Sequence, residues 1–212
     1  MTRLIVQSYV WNAAQFITAP ILALHGYVDE IQIFDGAWKG YPTAKVPWST
    51  DGTEQVVKNL KLDCPLQWIP CKEFYKSQVA KKTFMLKYWH PNEWRYLMAD
   101  DEVPVGNIKG AFERVRRADQ KIMIGFIPTV RIMLHPKPHL FQRKRKYAPR
   151  LFRWQKGFHY GKTHNIILNA EKMFRDNWRP RIFLDEMLIV HLKWLRHKER
   201  REAQLKYQKK PH

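Results

Sequence analysis

The chain has 212 residues, 45% hydrophobic and 14% aromatic, enough for a packed core and near the length of one large or two small domains. Its 38 Lys and Arg against 19 Asp and Glu give a net charge of +19, which attracts polyanions such as nucleic acid or acidic membrane surfaces. Two cysteines, Cys64 and Cys71, exclude a disulfide framework and a zinc knuckle, and no run reaches the ~18 apolar residues that span a bilayer. No signal peptide is read at Met1-Thr2-Arg3, so the expectation is one compact cytoplasmic domain.

Leu4-Ile5-Val6 is a short β-branched run, and Asn12 follows as a helix N-cap for Ala13, Phe16, Ile17, Ile21 and Leu24, with Pro20 either kinking that stretch or starting its second part. Glu30-Ile31-Gln32-Ile33-Phe34 alternates as a half-buried strand does and stops at Asp35-Gly36. The opening is therefore β-α-β. Such a unit crosses over right-handed into a parallel sheet, and open sheets of this kind bind ligands beyond the carboxyl ends of their strands. Residues 37–48 read as a surface loop holding Trp38 and Trp48. Ser49-Thr50-Asp51-Gly52-Thr53 then supplies capping hydroxyls for a helix over 54–60, an end that suits a phosphate but needs none.

Gln67 to Pro70 predicts a short strand, Ser77 to Trp89 a helix with Lys81 and Lys82, and Trp94 to Met98 a strand that delivers Asp100-Asp101-Glu102. Three adjacent carboxylates oppose one another's ionisation unless a positive partner offsets them. A hard cation such as Mg²⁺ or Mn²⁺ is one such partner, since it takes one or two carboxylates and completes its shell with water and substrate phosphate. A solvated polar turn is the alternative. Further on, Lys121 to Ile127 and Val130 to Leu134 read as a pair of strands broken by Pro128, and His135 and His139 fall in an extended loop. The stretch from Gln142 to Lys162 is basic with no acid. Phe183-Leu184-Asp185-Glu186 predicts the start of a last, basic helix with Leu188, Leu192 and Leu195 on one side.

In this order the features resemble the nucleotide-sugar glycosyltransferases of the GT-A fold, specifically family 2-like enzymes. The matching pieces are Tyr9-Val10-Trp11-Asn12, Asp35-Gly36, Ser49 to Thr53, the basic helix at Lys81-Lys82, and Tyr96-Leu97-Met98-Ala99-Asp100-Asp101-Glu102 in the place of that family's Asp-x-Asp-Glu motif. Pro149-Arg150-Leu151-Phe152-Arg153, followed by Gly157, Tyr160, Gly161 and His164, is similar to the family's Pro-Arg-Leu-x-Arg segment and later His. The resemblance implies a single α/β domain over 1–212, a mostly parallel Rossmann-like sheet flanked by helices. Residues 1–105 would form the nucleotide-sugar half, and 106–212 the acceptor half and C-terminal helix.

It also implies a metal-dependent transfer of sugar from a nucleoside-diphosphate sugar, a UDP-sugar foremost, to an acceptor hydroxyl with inversion. Tyr9, Asn12, Asp35, Lys82 and Asp100 would bind the nucleotide, and Asp101 with His191 would hold Mn²⁺ or Mg²⁺. Asp185, Glu186 and His164 are the candidates for the base that an inverting transfer needs. Two departures stand out: Ala99 occupies the first carboxylate position, and Asn165 rather than Glu follows His164. The charge admits a polyanionic acceptor, whether nucleic acid, lipid-linked saccharide or membrane surface, and with it a peripheral place at the inner membrane. A rival reading is a noncatalytic, basic nucleic-acid-binding protein.

Overall fold

The computed structural model describes residues 2–41, 43–134, 138–154, 158–160, 166–168 and 181–192, with the backbone alone over 131–146 and 166–168. The described strands are β1 (Arg3–Val10), β2 (Glu30–Asp35), β3 (Leu66–Ile69), β4 (Glu93–Ala99), β5 (Glu102–Gly106), β6 (Ile124–Leu134), β7 (Pro138–Arg153), β8 (Phe158–Tyr160), β9 (Ile166–Leu168), β10 (Arg181–Phe183) and β11 (Met187–His191). The described helices are α1 (Thr18–Leu24), α2 (Thr53–Lys58), α3 (Gln78–Met85) and α4 (Ile108–Arg117), and a 3-10 turn, Leu86–Tyr88, follows α3.

One sheet runs in the order β3-β2-β1-β4-β7-β6-β11-β5, with β10 beside β6, and β8 pairs with β9 apart from it. The β3-β2-β1-β4 half is wholly parallel, as the opening β-α-β pattern predicts. Beyond it, β4-β7, β7-β6 and β11-β5 are antiparallel, while β6-β11 and β10-β6 are parallel. The domain is α/β with a Rossmann-like half.

Strand periodicity divides the side chains between two layers. Leu4, Val6 and Val10 of β1, Ile31 and Ile33 of β2, and Trp94, Tyr96 and Met98 of β4 face α1 and α4, where Ile17, Ile21, Leu24, Phe112 and Val115 complete one core. Ile17, Ile21 and Leu24 are fully buried, each contributing roughly 1.5–3 kcal/mol of gross apolar transfer. The opposite face of β1, β2 and β4 meets α3, whose Met85 packs with Phe34 and Ile69. Both sides of β2 are therefore covered, so the alternation expected of a half-buried strand belongs instead to a strand with two different packed faces.

The α3-facing side carries a polar row. Gln7 Nε2 donates to Gln32 Oε1 at 2.9 Å, Trp89 Nε1 donates to Gln7 Oε1 at 2.6 Å, and Arg95 donates to Gln32 Oε1 at 3.3 Å and pairs with Glu93. Gln7, Gln32 and Arg95 are all at least 95% buried.

Several local expectations are corrected. Ile17, not Asn12, holds the N-cap position of α1, because Asn12 adopts φ 48° and turns its side chain to another loop. Pro128 does not break the strand: β6 runs through it, opposite Tyr147 of β7. The expected helix after Glu186 is strand β11, hydrogen-bonded between β5 and β6. The basic continuation from 193 onward, with Leu195, lies outside the described residues.

Candidate active site

Parallel pairing places the carboxyl ends of β1, β2 and β4 on one edge, with Val10 level with Asp35 and Tyr9 level with Ala99. Asp35 and the acidic triplet thus flank β1, two strand spacings or about 10 Å apart.

Asp35 is 2% exposed and accepts hydrogen bonds from Ser49 N at 2.9 Å and Ser49 Oγ at 2.6 Å. Burial raises its pKa, while the Ser49 hydrogen bonds and the Lys81 charge oppose the rise. Ser49 Oγ also accepts from Asn12 N at 2.8 Å, and Asn12 Oδ1 accepts from Thr50 N at 2.8 Å. Thr53 Oγ1 accepts from Ala13 N at 2.7 Å. The hydroxyls expected to cap a helix therefore lace the loop after β1 to the loop before α2, and Gly52 takes the cap position with no side-chain hydrogen bond.

Lys81 extends from α3 beneath this edge and donates to the carbonyls of Val10, at 2.7 Å, and Gly36. It is 1% exposed, and burial lowers its ammonium pKa to about 8 against the pull of Asp35, Cys71 and Asp100. Lys82, one residue on, lies 4.9 Å over the Tyr9 ring and 5.7 Å over Tyr160. Burial, then Arg150, lowers its pKa to about 8.

The triplet is not a solvated turn, since Asp100, Asp101 and Glu102 are only 6%, 2% and 4% exposed. Each has a basic side chain beside it. Glu102 pairs with Arg150 of β7, Asp101 Oδ2 lies 3.2 Å from His191 Nε2, and Asp100 sits in the field of Lys81. Antiparallel pairing of β11 with β5 sets His191 opposite Glu102, and Leu192 N fastens the segment by donating to Asp101 O at 2.7 Å. Tyr9 is raised in pKa by its burial and then by Glu102, with Asp101 and Asp100 adding to the effect; Tyr160 is raised by burial too. These phenols stay neutral.

Among the described residues no three His, Cys, Asp or Glu groups form a ready metal cage. Asp101 and His191 nevertheless present two donors side by side. Mg²⁺ or Mn²⁺ held chiefly through substrate phosphates asks for no more from the protein.

The structure gathers Tyr9, Asn12, Asp35, Lys82, Asp100, Asp101 and His191 along one edge, and does not bring Asp185 and Glu186 there. Those two precede β11, five to six residues or about 17–20 Å of strand from His191. Asp185 accepts from the Tyr147 hydroxyl, and Glu186 pairs with Arg114 of α4. His164 lies outside the described residues. Sequence reasoning missed the Glu102–Arg150 pair and the clamp made by Lys81. The one available signal was an Arg in a basic stretch opposite an otherwise uncompensated acid.

No family model matches the chain, and no curated protein does. Among solved structures it is similar to S. aureus TarS 1-349 (16% identity, TM-score 0.44, covering 61% of this chain and 36% of that one). It is similar also to TarS 1-349 in complex with UDP (16%, 0.48, 65% and 38%) and to TarS (17%, 0.45, 61% and 22%). The chain spans well under half the length of these proteins, and nothing about ligand or activity follows from a likeness this slight. No described helix is long and apolar enough to cross a membrane.

Proposed function

We propose that this chain is a glycosyltransferase that moves a sugar from a nucleoside-diphosphate sugar, a UDP-sugar foremost, to an acceptor hydroxyl with inversion, using Mn²⁺ or Mg²⁺. The observation that carries the reading is the pairing of two buried carboxylates, Asp35 and Asp101, the second beside His191, on either side of the β1 end. A polyanion held directly at this edge would have no use for them, since buried carboxylates repel a phosphate backbone. The noncatalytic nucleic-acid-binding alternative is not favoured.

In this proposal Asp35 accepts a hydrogen bond from the base, and Asn12 shapes the loop around it. Tyr9 walls the nucleotide, while Lys82 and Asp100 border the diphosphate. Asp101 and His191 would hold the cation, which when bound neutralises charge growing on the diphosphate. The acceptor oxygen bonds to the anomeric carbon as that carbon's bond to the phosphate oxygen breaks, the electron pair leaves with the diphosphate, and the acceptor proton passes to a base. His164 is the remaining candidate for that base.

Thermal unfolding with UDP and GDP, with and without Mn²⁺ or Mg²⁺, tests the reading. At 100 times Kd a ligand adds about 2.7 kcal/mol, roughly 5–10 °C for a chain of this size. The stabilisation should require metal and vanish in Asp101→Ala. No response to any nucleotide with either metal would sink it.

A further inference from the structure

A cleft of about 820 Å³ opens between one flank of α3 and residues 70–76. Its volume lies within the range of ligand clefts. The floor is aromatic: half-buried Phe74, Tyr75 and Phe84 line it, and the Tyr75 and Phe84 rings pack at 5.9 Å. Four lysines surround it, Lys39, Lys72, Lys76 and Lys87, all exposed, against the single acid Glu73.

The wall is held in place. Tyr75 N donates to Ala37 O at 3.1 Å, Lys39 N donates to Tyr75 O at 2.8 Å, and Cys71 Sγ lies 3.2 Å from Pro47 O. None of the residues assigned to the nucleotide-sugar site lines this cleft.

We propose that this cleft docks a single strand of nucleic acid, with bases against the aromatic floor and phosphates at the lysine rim. Single-strand binding combines these two elements: stacking gives sequence-tolerant affinity, and a cationic border follows the backbone. A membrane surface would call for a protruding apolar patch rather than a concave one, and a phosphate polymer without rings would leave the floor unused. The proposal does not depend on sugar transfer, although a strand held here would stand beside the enzyme's donor edge, since Cys71 packs against Gly36.

The test is fluorescence anisotropy of a labelled dT12 strand, titrated with the whole chain at several salt concentrations. Lys72→Glu/Lys76→Glu should weaken binding more than 10-fold and reduce the salt slope by about 1.4, the value for two phosphate contacts on a single strand. Lys61→Glu/Lys121→Glu makes the same change in net charge at exposed sites elsewhere and should weaken it less than about 3-fold. Phe74→Ala should weaken it at least 5-fold, within the range for loss of one stacked base.

Equal losses in the two double variants would overturn the proposal in favour of diffuse attraction by the basic surface. Competition by inorganic polyphosphate as effective as that by unlabelled dT12 would overturn it as well, as would no binding. Melting of each variant near the parent's temperature shows that it folds. The two readings fail separately: metal-dependent nucleotide stabilisation without dT12 binding removes the cleft alone, and the reverse removes only the transferase.

Discussion

Replacing Lys81 by Met should have almost no effect on stability at pH 7 and a clear one at pH 10. Its ammonium pKa falls from 10.5 to about 8 on folding, chiefly through burial. Because the folded value is the lower one, the unfolded chain binds more protons between those two values, and stability rises with pH across that window. At about 1.4 kcal/mol for each pH unit the whole window amounts to about 3 kcal/mol, an order-of-magnitude figure.

Deprotonation does not dissolve the clamp, since a neutral amine keeps two N–H groups for the two carbonyls it serves. In Lys81→Met the Gly36 carbonyl loses this hydrogen bond, whereas the Val10 carbonyl keeps the one from Gly36 N at 3.0 Å. That loss of about 1–3 kcal/mol is offset at pH 7 by removal of the desolvated charge. At pH 10 the parent amine is neutral, the offset is gone, and the variant should be less stable by about 2–3 kcal/mol. Urea unfolding followed by tryptophan fluorescence at pH 7, 8, 9 and 10 measures the difference. Lys82 and the tyrosines are present in both proteins and largely cancel. A difference that stays constant from pH 7 to 10 would refute the reasoning, for it would mean that the ammonium is solvated.

Gly36→Ala should lose at least about 3 kcal/mol in the same assay, because Gly36 has φ 127° and an added Cβ would overlap Cys71 Sγ. A loss under about 1 kcal/mol would show that the β2 end yields easily. Tyr96→Phe should leave stability unchanged or raise it by up to about 1 kcal/mol, since the buried Tyr96 hydroxyl has no hydrogen-bond partner among the described residues. A fall in melting temperature of several degrees would reveal an unseen partner.

The first half of the fold was legible because its signals are local. The β-branched run at Leu4 to Val6, the stop at Asp35-Gly36 and the strand before Asp100 all mark their elements without tertiary knowledge. The last strand was misread because Leu188, Leu192 and Leu195 have helical spacing, while pairing with both β5 and β6 decides the state of Met187 to His191. That error also made Asp185 and Glu186 look like residues at a helix start near the site. Asp35 and Asp101 stand out in the sequence as candidates, but their burial could not be read there. Nor could the use of Lys81 as a backbone clamp, which depends on α3 crossing beneath two strand ends.

The polar row of Gln7, Gln32, Arg95 and Trp89 has a consequence for the precision of the edge above it. Sliding β2 by one residue along β1 would send Gln32 into the apolar layer under α1 and leave Gln7 facing a hydrocarbon neighbour. A purely aliphatic face would tolerate that slip far better, because one branched side chain substitutes readily for another. The row therefore works as a vernier. It sits several residues upstream of the strand ends, penalises every misalignment by stranding amides and a guanidinium, and so keeps Val10, Asp35 and Ala99 flush at the edge they share.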